Sequence, residues 1–392
     1  MMDSPTSYIR ASKEPCVHRA RWVMVTPDTI LEDACIETAQ GRIQRVFPRG
    51  ASPVPGMVDH GDGLLMPPLV NAHTHLELSA LKGAVPFESG FQAWVGALLA
   101  KREALGEDGL IPAAEAAARE MAAQGPVGEI STLGITRDIM ARRGVAGVYF
   151  REFLGSSPFP CQLEKGDFFW ASLAGHAPHT TQPEGLQQLK SATAKKGLPF
   201  SIHVAESRVE TEFIAGKKNQ WYDFLVSRGI DPGDWPLGNK TPTAYLNDLG
   251  ILGPSTLAVH LLELFAGDLE LLARTGTRIC LCPRSNMNLH GRLPDIPAMV
   301  EKGLAPALGT DSLASCDSLN MMDEMAFIRR HFPNLDPRVL LEMVGRNGAA
   351  ALGMGSEFGA LVPGMRSEFL YVNTRATSPA SLIESVTANE LR

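Results

Sequence analysis

No stretch of this 392-residue chain approaches the ~20 apolar residues that cross a bilayer as a helix. The opening MMDSPTSYIRASKEP also lacks the basic-then-apolar order of a secretory leader. A cytoplasmic protein without a membrane partner is the expectation. Excess positive charge is missing too: the net charge of -7 leaves no electrostatic footprint for nucleic acid, so the expected partner is a small molecule. Cysteine is sparse. The six residues Cys16, Cys35, Cys161, Cys280, Cys282 and Cys316 form no Cys-x-x-Cys pair and no dense framework, so they are expected to be reduced and mostly buried. Low-complexity linkers are absent, and the only repeat is an alternation of short apolar runs with helix-like segments.

The beginning of the chain carries β signals: Val17 to Val25, then Ala34 to Ala39 and Arg42 to Phe47 around a Gln40-Gly41 turn. These strands are too few to stand alone. They are expected to pair with the far end, where GALVPG at 359–364 precedes Glu368-Phe369-Leu370-Tyr371-Val372, giving a small β-sandwich from residues 1–65 and 355–392. Between them, over 66–354, lie eight strand candidates: 64–71, 128–131, 147–153, 168–174, 199–204, 256–260, 278–282 and 305–309. Helical patterns over 90–105, 111–124, 136–143, 183–196, 208–228, 267–275, 296–302 and 319–331 separate or follow them. That alternation predicts an α/β fold, a (β/α)8 TIM-like barrel. One unit is irregular, because 155–167 is too short for a full crossover helix.

The chemistry begins in Met66-Pro67-Pro68-Leu69-Val70-Asn71-Ala72-His73-Thr74-His75-Leu76-Glu77. Residues i and i+2 of a strand face the same way, so both imidazoles can converge on one ion. A lone His-x-His is more often packing or surface chemistry. Here suitable partners recur, each ending another apolar run: His203 and Glu206 in FSIHVAE, His260 in LAVH, and Asp311 in LGTDS. In a barrel of this type the active site lies at the C-terminal ends of the strands, where these residues fall.

Three imidazoles and one carboxylate, His73, His75, His203 and Asp311, suit one divalent ion, Zn2+ or Fe2+, with water completing the site. Such an ion brings the pKa of its water to about 7. A second ion would need a bridging lysine ending the fourth strand, and FFWASLA has none. Glu206 is spaced badly for ligation beside His203 and is free to move protons. His260 can orient the nucleophile or stabilise developing charge, and Asp311 can pass a proton from the water to the leaving group. These are parts for hydrolysis at a carbon bearing a nitrogen leaving group. The Cys-x-x-Cys motif of the other zinc deaminase architecture is absent.

The ordered set PPLVNAHTHLE, HVAES, AVH, CPRSN, LGTDS and GALVPG spans nearly the whole chain. It resembles the amidohydrolase superfamily, in its branch of cytosine-, guanine- and adenosine-type deaminases and related chlorohydrolases. Within that branch, HTHLELSALKG followed by FQAWV, then ICLCPRSNMNL and LGTDSLASCDSLNMMDEM, is most similar to the aminodeoxyfutalosine deaminases of menaquinone biosynthesis. The resemblance implies attack at C6 of the adenine ring of 6-amino-6-deoxyfutalosine, with Glu206 protonating the ring nitrogen and Asp311 carrying a proton to departing ammonia. It also implies a substrate-contacting His176, although His179 stands where relatives carry an aromatic residue. Glu103, on the helix after Trp94, is implied to hold ribose hydroxyls, against the plain reading of a solvated helix charge. The substrate's carboxylate end calls for an arginine, and Arg151, Arg208 and Arg284 lie near strand ends.

Alternatives are the same chemistry on S-adenosylhomocysteine, methylthioadenosine, adenosine or another aminated heterocycle such as guanine or a triazine. A non-enzymatic barrel scaffold is a further alternative, and such a protein would be expected to have lost its metal ligands. Barrels of this family often pair, so a homodimer is the expected assembly.

Overall fold

Two consecutive prolines divide the first long apolar run of the chain. Neither Pro67 nor Pro68 can donate to a strand ladder. The single strand expected over 64–71 is therefore two: Leu64–Met66 joins a sheet built by the chain ends, and Asn71–Thr74 opens the barrel. The computed structural model describes residues 6–50, 56–88, 90–156 and 162–391.

The barrel strands are Asn71–Thr74, Val127–Ser131, Gly147–Phe153, Phe169–Gly175, Phe200–Val204, Thr256–His260, Arg278–Leu281 and Ala307–Leu308, each parallel to the next. Strand three shows the alternation that fills the interior. Val148 and Phe150 pack inside with Ile130, Val259 and Cys280, while Tyr149 packs outside with Ile139 and Met140. Strand eight is only two residues long, and the ring closes beyond it through a parallel bridge between Thr74 and Asp311. The His73 carbonyl accepts from the amides of Thr310 and Asp311, both at 3.1 Å. Asn71 Nδ2 donates to Thr310 Oγ1 at 2.8 Å, and Thr74 Oγ1 donates to the Asp311 carbonyl at 2.9 Å.

Around the strands, helix Phe91–Ala122 absorbs the two helices expected over 90–105 and 111–124, broken only at Gly106. The helix expected over 208–228 is likewise two, Arg208–Ile214 and Gln220–Ser227. Pro242–Asp248 and Pro283–His290 are helices of at most eight residues, too short to display a period in the sequence. Among the described residues no helix separates strands three and four; the two-residue strand Glu164–Lys165 folds back on strand four instead.

The second sheet has seven strands in the order Thr6–Arg10, Glu368–Val372, Leu64–Met66, Cys16–Thr26, Thr29–Ala39, Arg42–Pro48, with Val58–Asp59 beside Cys16–Thr26. The expected tie between the chain ends is direct, since Thr6–Arg10 pairs antiparallel with Glu368–Val372. The Gln40-Gly41 turn is a two-residue hairpin connection, Ala39 facing Arg42, with φ of 54° and 73° as the strand twist requires. Cys35, Cys280, Cys282 and Cys316 are buried, Cys16 is half-buried, and all five are free; Cys161 lies outside the described residues. No described helix is long and apolar enough to cross a membrane.

Strands two and three approach closely at Gly147, which has a φ of 133° and where a Cβ would lie 2.0 Å from the Val127 carbonyl oxygen. Gly147→Ala should lower the unfolding free energy by roughly 2–5 kcal/mol. Gly197→Ala, at a φ of 63° with open space around it, should cost only about 1–2 kcal/mol. Urea denaturation of both variants checks this, and equal losses would mean that strand contact is not what fixes Gly147.

Candidate metal centre

The strands end in residues that turn the backbone sharply. Ala205, His260, Leu261 and Asp311 all have positive φ, of 53°, 79°, 54° and 59°. This conformation strains a non-glycine residue, and such strain persists where surrounding structure enforces it. Here it turns the chain at the ends of strands five, six and eight, where side chains meet those of strand one.

His73, His75 and His203 converge there, buried. His203 Nε2 lies 3.2 Å from His73 Nε2 and 3.3 Å from His75 Nε2, and Asp311 Oδ1 lies 3.8 and 3.6 Å from the same two nitrogens. Donors about 2.0–2.1 Å from a tetrahedral ion stand about 3.3 Å apart, so the set has the dimensions of a divalent-metal site. The supporting contacts leave the correct atoms free. His203 Nδ1 donates to the His176 carbonyl at 2.7 Å, which directs the Nε2 lone pair inward. Ser285 and Ser315 donate to Asp311 Oδ2 at 2.6 and 2.7 Å and leave Oδ1 facing the imidazoles.

Electrostatics agree with ligation. Burial pulls His73 down to about 4 and His203 well below the usual imidazole range, so both are neutral at neutral pH. Burial alone would raise the Asp311 carboxyl, but the surrounding imidazoles of His73, His75 and His260 hold it well below the usual carboxylate range.

Glu206 reaches the same centre from the turn after strand five. Its Oε1 is 3.9 Å from His260 Nε2 and 3.4 Å from His290 Nε2. Burial opposes its ionisation, yet His260 and His290 outweigh that and hold it at about 2. Glu210 fixes the turn, accepting from the amides of Ala205 and Glu206, each at 2.9 Å. His260 Nδ1 donates to Asn286 Oδ1 at 2.9 Å.

His176 is adjacent, its ring 5.1 Å from that of His203, and its Nδ1 donates to Thr180 Oγ1 at 2.7 Å. Burial lowers it to about 4 and lowers His179 to about 3, where His179 packs against Trp221 and Phe213. Glu103 is not brought in. Its side chain is 60% exposed and pairs with Arg228 at 2.8 Å, which corrects the expectation of a ribose contact and matches a solvated helix charge.

Of the three arginines, Arg208 is 82% exposed and pairs with Glu212, and Arg284 is held by Asp317 and Glu324. Arg151 is half-buried at the end of strand three, and its side chain makes no ion pair or hydrogen bond among the described residues; its Nη1 lies beside Gly134 in the segment after strand two.

Four residues at the site escape sequence reasoning. Ser285, Asn286 and His290 come from the short helix Pro283–His290, which lacks a readable period. Glu152 ends strand three 3.7 Å from His203 Nδ1, and burial pushes it up to about 8, a neutral acid at neutral pH. Its signal was present, an acid interrupting the run Val148-Tyr149-Phe150, as at the other strand ends. Glu152, His176 and His203 also bring donor atoms together, but His203 Nδ1 already carries the proton it gives to His176, so it has no lone pair for a second ion.

Known proteins resemble this chain in sequence and in fold. The chain is 32% identical to aminodeoxyfutalosine deaminase of Deinococcus radiodurans over 347 residues, covering 81% of this chain and 78% of that one. It is 28% identical to a 5-methylthioadenosine/S-adenosylhomocysteine deaminase of Nitratidesulfovibrio vulgaris, covering 94% and 88%. In fold it is similar to Helicobacter pylori aminofutalosine deaminase, solved with methylthio-coformycin, at a TM-score of 0.81 and 22% identity over 95% of this chain and 96% of that one. The Amidohydrolase family model matches residues 64–389, and the chain accordingly belongs to the amidohydrolase family and is an enzyme that hydrolyses carbon–nitrogen bonds.

Proposed function

We propose that the protein deaminates the adenine ring of 6-amino-6-deoxyfutalosine, giving futalosine and ammonia with one divalent ion, Zn2+ or Fe2+, held by His73, His75, His203 and Asp311. The observation that carries the chemistry is the imidazole–carboxylate set at ligand spacing with the ionised Glu206 beside it. The substrate choice is supported by the Deinococcus relative; Arg151, half-buried near the end of strand three and without an ion pair among the described residues, is the candidate counter-charge for the carboxylate of the substrate.

When bound, the ion supplies Lewis acidity that makes a water nucleophilic near neutral pH. The residues do the rest. His176, its Nδ1 proton given to Thr180, presents Nε2 as an acceptor toward the ring. Glu206, ionised in the free enzyme, takes one proton from the attacking water and delivers it to the ring nitrogen beside C6. His260, held by Asn286, steadies the oxygen added at C6. Asp311 takes the second proton and gives it to the departing amine, so one water is consumed and one ammonia leaves.

Methylthioadenosine or S-adenosylhomocysteine is the second reading, favoured by the Nitratidesulfovibrio relative that aligns over more of the chain. Ammonia release across aminodeoxyfutalosine, methylthioadenosine, S-adenosylhomocysteine and adenosine decides between them: kcat/KM should be highest for the first, and a preference for any other overturns the assignment. Arg151→Ala should cut kcat/KM about 10- to 100-fold for aminodeoxyfutalosine and leave adenosine unaffected; a uniform loss would show that Arg151 does not meet the carboxylate. Glu206→Gln should keep its metal, by elemental analysis, while kcat drops about 100- to 10,000-fold. Loss of metal in that variant would mean that Glu206 is a ligand.

A further inference from the structure

Glu206 has imidazoles on two sides, and they are not equivalent. His260 directs its Nδ1 to Asn286 Oδ1, and its Nε2 stands 3.9 Å from Glu206 Oε1, beyond hydrogen-bond reach. His290 makes no other hydrogen bond among the described residues, and its Nε2 is 3.4 Å from Glu206 Oε1. We propose that His290 is a positioning residue for the reaction, donating to Glu206 and orienting the carboxylate that carries the proton. The proposal rests on the reading of Glu206 as proton carrier.

The structure holds His290 for this task. It is the last residue of helix Pro283–His290, which ends at Gly291. Asn288 Nδ2 pins the helix to the Ser315 carbonyl at 2.8 Å. The His290 ring lies 4.8 Å from that of Phe91 at 40°, and its side chain is only 9% exposed. Phe91 therefore limits the ring on one side while the carboxylate fixes it on another. A contact of 3.4 Å is long for a hydrogen bond, as catalytic contacts often are before substrate closes the site.

The titratable groups facing Glu206 are His176, His179, Glu210, His260, His290 and Asp311. His290 is the one with a ring nitrogen within hydrogen-bond reach of the Glu206 carboxylate. Donation favours the ionised carboxylate, so removing it raises the pKa of Glu206 and moves the acidic limb of the rate upward in pH.

The test compares His290→Leu, which removes the donor, with His290→Gln, which keeps an N–H at similar reach. The leucine variant should lose about 10- to 100-fold in kcat with KM and metal content little changed. Its acidic limb should move up by about one pH unit, and glutamine should restore most of the rate. If the leucine variant does not fold, His290→Phe keeps a ring against Phe91 without a donor and takes its place. Equal losses for donor and non-donor variants, or an unmoved acidic limb, would overturn the proposal.

A second readout needs no turnover. In metal-free protein, the 13C carboxyl resonance of Glu206 should titrate at higher pH in the donor-less variant than in wild type, and identical titrations would also overturn the proposal. Failure of wild type on every member of the substrate panel would defeat the deaminase reading and leave this comparison standing.

Discussion

The barrel closes at the same residues that gather the candidate metal ligands. Strand eight is too short to form a ladder with strand one, so the residues just beyond it make the seam: the Thr310 and Asp311 amides on the His73 carbonyl, and the side chains of Asn71 and Thr74 on Thr310 and Asp311. Asp311 must adopt a φ of 59° for its amide to reach His73 while its carboxylate faces the imidazoles. The seam leaves no room at Gly309, where a Cβ would lie 2.7 Å from His73 Cβ and 2.9 Å from Cys280 Sγ. Ligand geometry and ring closure are thus one constraint, and strain at the strand ends is tolerated because the rest of the barrel enforces it.

Burial at this mouth acts on every ionisable group, yet the groups divide by partner. Glu152, Glu210 and Glu324, all fully enclosed, are pushed up to about 8. They are neutral acids at neutral pH and serve as supports: Glu210 under the turn of Glu206, Glu324 accepting from the Arg284 amide at the start of the short helix. Glu206 and Asp311 experience the same burial but face imidazoles, and they stay ionised. The two carboxylates assigned to move protons are the ones charged before substrate arrives, which is the separation of roles that a hydrolytic acid–base cycle needs.

What the sequence made legible was whatever one strand end could announce by itself. His73, His75, His203, His260 and Asp311 each interrupt an apolar run, and barrel geometry alone predicts that such interruptions meet. The boundary at Pro67-Pro68 was misplaced because the residues on both sides are apolar, and only pairing partners tell which sheet each half joins. Helix Pro283–His290 was invisible for a different reason. Eight residues give barely two turns, and its Ser285, Asn286 and His290 are polar because they face Asp311, His260 and Glu206. A segment whose side chains are committed to a site has no apolar face to read. Glu103 failed in the opposite direction, since its spacing from Trp94 matched a pattern but its side chain turns to Arg228 and solvent.

Substrate choice follows from the same division of labour. The groups assigned to the reaction lie at strand ends, in positions fixed by ring closure, and they cannot vary without losing the metal geometry. Discrimination among nucleosides with different tails must therefore come from residues outside the closing seam. Arg151 is suited to this because no described residue neutralises it, whereas Arg208 and Arg284 have their charge already engaged. His179 is engaged in another way: burial holds it neutral, and it packs against Trp221 and Phe213.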